Sequence, residues 1–539
     1  MTATLEAPAA SSVTPSDDDV PEPPPTPRPV PAALQPWRDP HPVVGWLIPL
    51  AIGVIAGLTR FWALGTPRSK VFDEVYYATE AQEILRYGYE DNRDYMFIVH
   101  PPLGKWLIGF TEAMFGHPGQ NALGWRFAGA TVGVLSVVIM ARLARRMFRS
   151  NLFGAIAGLL LTMEGLSLVL ARTAILDIFL QFFVLAGFAA LVVDRDHMRG
   201  RLARMLLDGV DVTARVPSLG PRPWRLLGGA LLGAACAVKW TGAWFFIGFV
   251  LLSVVWDRSA MRAAGCRRPM RSMWRRSILP ATGSLLAAPI AAYLLSYIGW
   301  FTGENSWGRH WTDTHPSTVG HFAFHGLRIP LWWGWVPSPI RSLGAYTLDA
   351  YHFHTGLTSF HPYRSNPWSW LVLGRPVDFY YDGSSHACGA ATCSRTILAL
   401  GTPLMWWAFL PMLVWLAWHW VTTRDWRAGS IWIAFIAGWV VWFIDLKRTM
   451  FFFYMAPLVP FLILGLTLAL GTLLGPALRR TGDAFRDRRA LLRRYWGLGG
   501  VAVFLGAVTA DFVWMWPIFT GGLLTEAQWH AHMWLPSWV

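Results

Sequence analysis

Lysine is almost missing from this chain. Its 539 residues include only Lys70, Lys105, Lys239 and Lys447, against 42 arginines. Charge of any sign is scarce: Asp, Glu, Lys and Arg make up 14%, where soluble domains carry roughly 25%. That shortage, with 54% hydrophobic residues, excludes a water-soluble globular fold. Apolar stretches of about 20 residues recur from Val43 to Pro517, so the chain reads as an integral membrane protein. Cysteine is scarce as well, at four residues, which excludes a disulfide scaffold. Cys388 and Cys393 share one loop and suit a disulfide outside the membrane. With no second Cys pair to match them, a metal site is the weaker reading.

What charge there is has a pattern. The net charge of +14 raises nucleic acid as a partner, but the arginines cluster at 142–149, 195–225, 258–276, 424–427 and 479–494. Each cluster joins two apolar stretches, which is the positive-inside arrangement. A cytosolic face attractive to anionic membrane lipids looks the same, so no nucleic acid partner is expected. None of the four lysines lies in these clusters. A genome rich in arginine codons replaces lysine wherever either cation serves, so a surviving lysine points to a need for a compact ammonium. Chance in so small a sample is the plain alternative.

Residues 1–42 are rich in Pro, Ser and Thr, with Asp17-Asp18-Asp19, and carry too little apolar surface to fold. No basic-then-apolar leader opens them, so a disordered cytosolic tail is expected. Residues 43–539 then form the membrane unit. Spans fall near 43–63, 122–142, 152–171, 175–193, 224–238, 241–256, 278–298, 396–420, 429–445, 450–475 and 496–517. Eleven crossings put every arginine cluster in the cytosol and the C-terminus outside; arginines on both sides favour two crossings, not one long helix, at 224–256. Two extracytosolic loops are long, 64–121 and 299–395. In the first, Val75, Ala78, Ala81 and Leu85 recur at helical spacing, and 102–115 opens with prolines suited to a helix start. Both segments are too short to span and read as interfacial helices. The second loop, full of Trp, His and Pro, is expected to lie on or re-enter the membrane without forming a soluble domain.

The chemistry concentrates at the outer face. Asp73 and Glu74 stand in Val71-Phe72-Asp73-Glu74-Val75 just beyond the first span, and an ionisable pair at the mouth of a membrane bundle is costly unless used. Adjacent helical residues diverge by about 100°. One carboxylate can therefore act on substrate while the other accepts hydrogen bonds or pairs with a cation; a helix cap at Asp73 is the structural alternative. Cations recur at the same face. Arg126 opens the second span, Arg172 and Asp177 flank the turn into the fourth, Lys239 stands in Ala237-Val238-Lys239-Trp240, and Asp445 and Arg448 precede Thr449-Met450-Phe451-Phe452-Phe453-Tyr454. Snorkelling explains any one of them; the set suits a buried phosphate, bound by Arg126, Lys239 and Arg448. In His100-Pro101-Pro102-Leu103-Gly104-Lys105 the prolines fix a helix entry, Gly104 permits close packing, and His100 and Lys105 are supporting residues.

In this order these motifs resemble the protein O-mannosyltransferase family, membrane glycosyltransferases of the GT-C fold. The likeness runs through Phe72-Asp73-Glu74, the His100–Lys105 run, Arg126, Arg172-Thr-Ala-Ile-Leu-Asp177, Val238-Lys239-Trp240 and Arg448-Thr-Met-Phe-Phe-Phe-Tyr454, nearly the whole chain beyond residue 42. The resemblance implies an all-α polytopic bundle and a polyprenyl-phosphate-mannose donor in the cell membrane. It implies Ser/Thr-rich exported acceptor proteins met at the extracytosolic face, with the secretion machinery as a partner, and inversion of a beta-linked donor to alpha-mannose. The loop 299–395 lacks room for the MIR domains of eukaryotic members, and Met455 stands where those members commonly have His. Asp73 is the expected general base. No cofactor is expected, although the Asp73–Glu74 pair leaves a divalent metal open. Two rivals remain: a GT-C transferase with a glycan or lipid acceptor, and, from another class, a transporter or lipid flippase. The last expects charges at mid-membrane and repeated halves.

Overall fold

The fold was obtained as a computed structural model. It describes residues 29–539 except 38, 92–98, 117, 214–215, 316–319, 325–326, 332–335 and 479–487. The first 28 residues of the expected tail thus lie outside the described residues, as does part of the 479–494 arginine cluster. Among the described residues, nine helices are long and apolar enough to cross a membrane, or ten if one bent pair forms a single span.

The first half is laid out as its apolar runs dictate. Helix α1 (Val44–Phe61) crosses, then α2 (Glu74–Tyr87) and α3 (Leu103–Phe115) lie in the first loop. On α2 the expected stripe divides: Ala78 and Ala81 are buried, with Tyr77 and Ile84, while Val75 and Leu85 are exposed. A Cβ on Gly109 of α3 would lie 3.0 Å from the Ala81 carbonyl, so the two short helices touch backbone to side. Helix α4 (Ala122–Phe148) spans next. The expected span 152–171 is broken into α5 (Asn151–Thr162) and α6 (Gly165–Ala171), bent by 62°. Glu164 causes the break: its carboxylate caps α6 through the N–H groups of Leu166 and Ser167, and also accepts from the Trp406 indole. Helix α7 (Leu176–Leu207) is largely buried.

Residues 224–256 form two helices, α8 (Pro223–Val238) and α9 (Gly242–Ala263), with Lys239 in extended backbone between them. At 16 residues α8 is apolar but shorter than the nine or ten candidate crossings among the described residues, against the eleven expected. It packs on α10 (Pro269–Ser296), where a Cβ on Gly229 or Gly233 would collide with the backbone of Ser284 or Pro289. Such close crossings of small residues are how helices associate without a hydrophobic drive in lipid.

The second loop holds more order than its composition suggests. It contains a hairpin of β1 (Gly320–Phe324) and β2 (Leu327–Leu331), then α11 (Ser338–Gly356), then antiparallel β3 (Val377–Asp382) and β4 (Cys393–Ala399). The span expected from 396 therefore begins as strand, and its helix α12 runs Pro403–Thr423. Helix α13 (Trp426–Gly438) follows; the segment 450–475 opens as a 3₁₀ turn, Phe452–Leu458, before α14 (Val459–Leu478). The chain closes with α15 (Arg488–Thr520), β5 (Leu524–Thr525), which pairs with β4, and α16 (Glu526–His532). A bridge joins Cys388 to Cys393 in the β3–β4 connection, with Cα atoms 5.9 Å apart.

The arginine-rich ends of α4, α7, α8 and α9 lie at one face, tied by Arg146–Asp196 and by Arg222 to Asp194 and Asp257. Part of the segment before α1 packs against this face. Leu34 is fully buried beside Met198, Leu202 and Met261, Arg199 donates to the Ala33 carbonyl at 2.7 Å, and Arg145 pairs with Asp39. One leucine and the chain's own arginines thus give Ala33, Leu34 and Asp39 contacts with the membrane unit.

Candidate active site

At the opposite face the two acids part company. Glu74 is fully buried. Its carboxylate accepts four hydrogen bonds: two from Arg126 at 2.8 Å, and one each from the backbone N–H of Val71 and Ala174 at 2.9 Å. The remaining N–H groups of Arg126 go to the carbonyls of Leu64, Pro67 and Ser69. All five guanidinium donors are thereby spent. Arg126, expected from the sequence to bind phosphate, is 1% exposed and in this arrangement has every donor engaged within the protein. Arg172 turns one nitrogen, Nη1, to the carbonyls of Thr59, Arg60 and Trp62 at the end of α1.

Asp73 differs. It occupies the N-cap position of α2 yet its side chain caps no helix N–H, its backbone being helical (φ −69°, ψ −2°) where a capping residue is extended. Its half-buried carboxyl stands among Lys239, Asp177 and the Tyr77 hydroxyl; burial pushes it up to about 6, against the pull of Lys239. The turn before it is strained. Phe72 has φ +45°, a conformation that costs a bulky residue roughly 1–3 kcal/mol. Packing holds it there: the ring stacks on Phe379 of β3 at 4.6 Å and meets Phe453 at 5.7 Å. The sheet in the second loop thus braces the residue beside the acid.

Lys239 donates to Asp177 at 2.8 Å, with side-chain exposures of 9% and 2%. Its ammonium lies 4.9 Å from the centre of the Tyr454 ring, and the Arg448 guanidinium lies 5.6 Å from the same ring. Two cations from separate segments thus share one aromatic seat. Among the described residues, Asp177 is the acceptor for one of the three lysine protons. Arg448 directs its donors to the carbonyls of His354 and Thr449 and to the His354 ring. Both cations keep donors in reserve.

The His100–Lys105 run is structural in its details. Lys105 is fully buried between Glu80 at 3.0 Å and Glu90 at 2.9 Å, and its third proton goes to the His100 carbonyl at 3.1 Å. Burial pushes it down, but the two acids carry it above its ordinary value. A Cβ on Gly104 would lie 2.6 Å from Leu176, so α3 sits tightly on α7. Burial holds His100 well below the usual histidine range, in a neutral form. Its ring lies 5.0 Å from that of His354, a residue the sequence reading missed. Asp445 is exposed and holds the Lys447 N–H in a local turn, apart from this cluster of contacts. Among the described residues no three His, Cys, Asp or Glu side chains converge on a metal position.

The apolar crossings, with cations and a carboxyl gathered at one face, have the GT-C fold, and family and relatives make the chain a membrane-embedded glycosyltransferase. The family profile of dolichyl-phosphate-mannose-protein mannosyltransferases matches residues 50–298, and that of the C-terminal four-transmembrane region of protein O-mannosyltransferases matches 343–538. A polyprenol-phosphate-mannose–protein mannosyltransferase of Mycobacterium tuberculosis is 40% identical over 96% of this chain and 97% of its own. One from Corynebacterium glutamicum is 34% identical over 90% and 92%. The chain belongs to the protein O-mannosyltransferase family. In fold it is similar to the Saccharomyces cerevisiae protein O-mannosyltransferase Pmt1-Pmt2 complex bound to the sugar donor, with a TM-score of 0.70 at 17% identity, covering 92% and 93% of the chains.

Proposed function

We propose that the protein transfers mannose from polyprenyl-phosphate-mannose to Ser and Thr hydroxyls of exported proteins, with inversion, at the extracytosolic face of the cell membrane. The names of its relatives supply donor and acceptor. The observation that carries the mechanism is the placing of a half-buried Asp73, hydrogen-bonded to the Tyr77 hydroxyl and free of any ion pair of its own, beside Lys239, while Lys239 and Arg448 keep donors unspent on one aromatic ring.

In this reading a serine or threonine hydroxyl attacks the anomeric carbon as Asp73 takes its proton. The bond from that carbon to the phosphate oxygen breaks with oxocarbenium character. The electron pair leaves with the phosphate, whose growing charge Lys239 and Arg448 stabilise. The phosphate departs as an anion, so no general acid is required. Glu74 and Arg126 act at one remove, fixing the start of α2 against α4 and α7. The transporter rival is disfavoured by the relatives, which are named as mannosyltransferases. The glycan-acceptor rival is decided by experiment: purified protein, labelled polyprenyl-phosphate-mannose and a Ser/Thr-rich unstructured peptide are expected to yield alpha-linked mannosyl-peptide. Label passing only to a glycolipid or polysaccharide overturns the reading.

A further inference from the structure

We propose that His354, on α11 of the second loop, is a positioning residue for the donor phosphate: it stands where His100, Trp240 and Arg448 meet, and it holds the Arg448 guanidinium in place. The inference rests on the function proposed above and deepens it.

His354 is near the C-terminal end of α11, far in sequence from all three residues. Its ring lies 5.0 Å from His100 and 5.7 Å from Trp240, centre to centre. The Trp240 indole is itself fixed, donating to the Tyr293 hydroxyl at 3.1 Å. The two ring nitrogens of His354 have different duties. Nε2 lies 2.9 Å from the Val99 carbonyl, which can only accept, so Nε2 carries the hydrogen. In the neutral ring Nδ1 then carries the lone pair, and Arg448 Nη2 faces it at 3.5 Å. The Arg448 Nε donates to the His354 carbonyl at 2.9 Å. One residue thus receives the guanidinium at two points, the main-chain contact being the stronger. The ring must be neutral for this, and burial, with Arg448 and Lys239 nearby, pushes it down to about 4. A charged ring would present N–H to N–H and turn Arg448 away.

The arrangement couples the residue just before the His100–Lys105 run, through Val99, to the cation at the start of the Arg448–Tyr454 motif. Arg448 reaches the site from a turn whose neighbours, Asp445 and Lys447, are exposed. The main-chain bond at Nε remains in any side-chain variant, but without the ring acceptor the outer end of the guanidinium is free to turn about it, and a charged hydrogen bond to phosphate must then bear the cost of ordering it.

The test uses the full chain in lipid nanodiscs, with polyprenyl-phosphate-mannose and a Ser/Thr peptide, normalised to folded protein. His354→Phe keeps a ring and removes both polar contacts; His354→Asn keeps an acceptor where Nδ1 stood; His354→Gln keeps a donor toward Val99 and loses that acceptor. The expected result is a donor KM raised about tenfold in His354→Phe, with the peptide KM within about twofold and substantial rescue in His354→Asn but not in His354→Gln. If His354→Phe fails to fold, the Asn–Gln difference in donor KM carries the decision. An unchanged donor KM, equal rises in both KM values, or Asn no better than Gln overturns the proposal. Wild-type protein that transfers no mannose to peptide overturns instead the function on which it rests.

Discussion

Glu74 and Arg126 close completely on one another and on the backbone, leaving neither an acceptor nor a donor for substrate. Removing one partner strands a buried charge, at a cost of roughly 3–5 kcal/mol. Glu74→Gln and Arg126→Ala are therefore expected to lower the thermal unfolding midpoint and the yield of inserted protein. Whatever folds should keep a near-normal donor KM. A stable Arg126→Ala protein with a selectively raised donor KM would return Arg126 to the phosphate.

Asp73 makes the opposite prediction, loss of rate without loss of stability. Asp73→Asn keeps the shape and removes the base, so turnover should fall by about two orders of magnitude or more. Its carboxyl is pushed up to about 6, from an ordinary value of 3.8. Between these limits the folded state holds a proton that the unfolded chain releases, so the acid's contribution to stability declines as pH rises through that window. Above it the ionised group costs up to about 2–3 kcal/mol. The Asn variant should thus be as stable as wild type at pH 7, or more so, and less favoured at pH 4. Wild-type kcat/KM should fall about tenfold per pH unit below 6. A flat profile from pH 5 to 8 would remove Asp73 from proton transfer.

Lys239 sits between Asp177 and the Tyr454 ring in a space that suits an ammonium. Lys239→Met strands Asp177 and removes a phosphate partner; Lys239→Arg keeps the charge but brings a planar fork. Both are expected to raise the donor KM by at least about tenfold while the peptide KM changes little. Unchanged donor kinetics in both would show that Lys239 serves only to neutralise Asp177.

Much of this architecture was legible from the sequence because lipid permits so few solutions. Apolar length placed the crossings, and isolated charges beside them marked Asp73, Asp177, Lys239 and Arg448. What periodicity does not reveal is pairing. Nothing local says that Glu74, not Asp73, captures Arg126; that depends on Ala174, a hundred residues on. Phe72 at positive φ is invisible until β3 places Phe379 against it. His354 lies in a loop where His, Trp and Pro are dense and no stripe singles one out. The β4 strand was concealed because Thr396–Ala399 runs straight into an apolar helix, and apolar residues suit either state. Glu164 is a different case. A lone acid inside an apolar stretch was a visible sign of the bend it makes.

The segment before the first span gives the last test. Residues 33–37 and Asp39 strap together the arginine-rich ends of α4 and α7: Leu34 is fully buried, Arg199 holds the Ala33 carbonyl, and Arg145 holds Asp39 while lying 4.9 Å from the Trp37 ring. Composition alone marks the whole region as tail, so the two readings predict different truncations. Deleting residues 1–28 should leave thermal stability and transfer rate unchanged. Deleting 1–40 strips the cover from Met198, Leu202 and Met261 and leaves Arg145 without its acid. Leu34→Ala alone should cost about 2–5 kcal/mol if the pocket cannot collapse, read as a lower unfolding midpoint in detergent. Because the strap lies at the face opposite Asp73, kcat per folded molecule should be preserved. Equal stability for the two truncations would mean that these contacts contribute nothing and that the tail reading holds through residue 42.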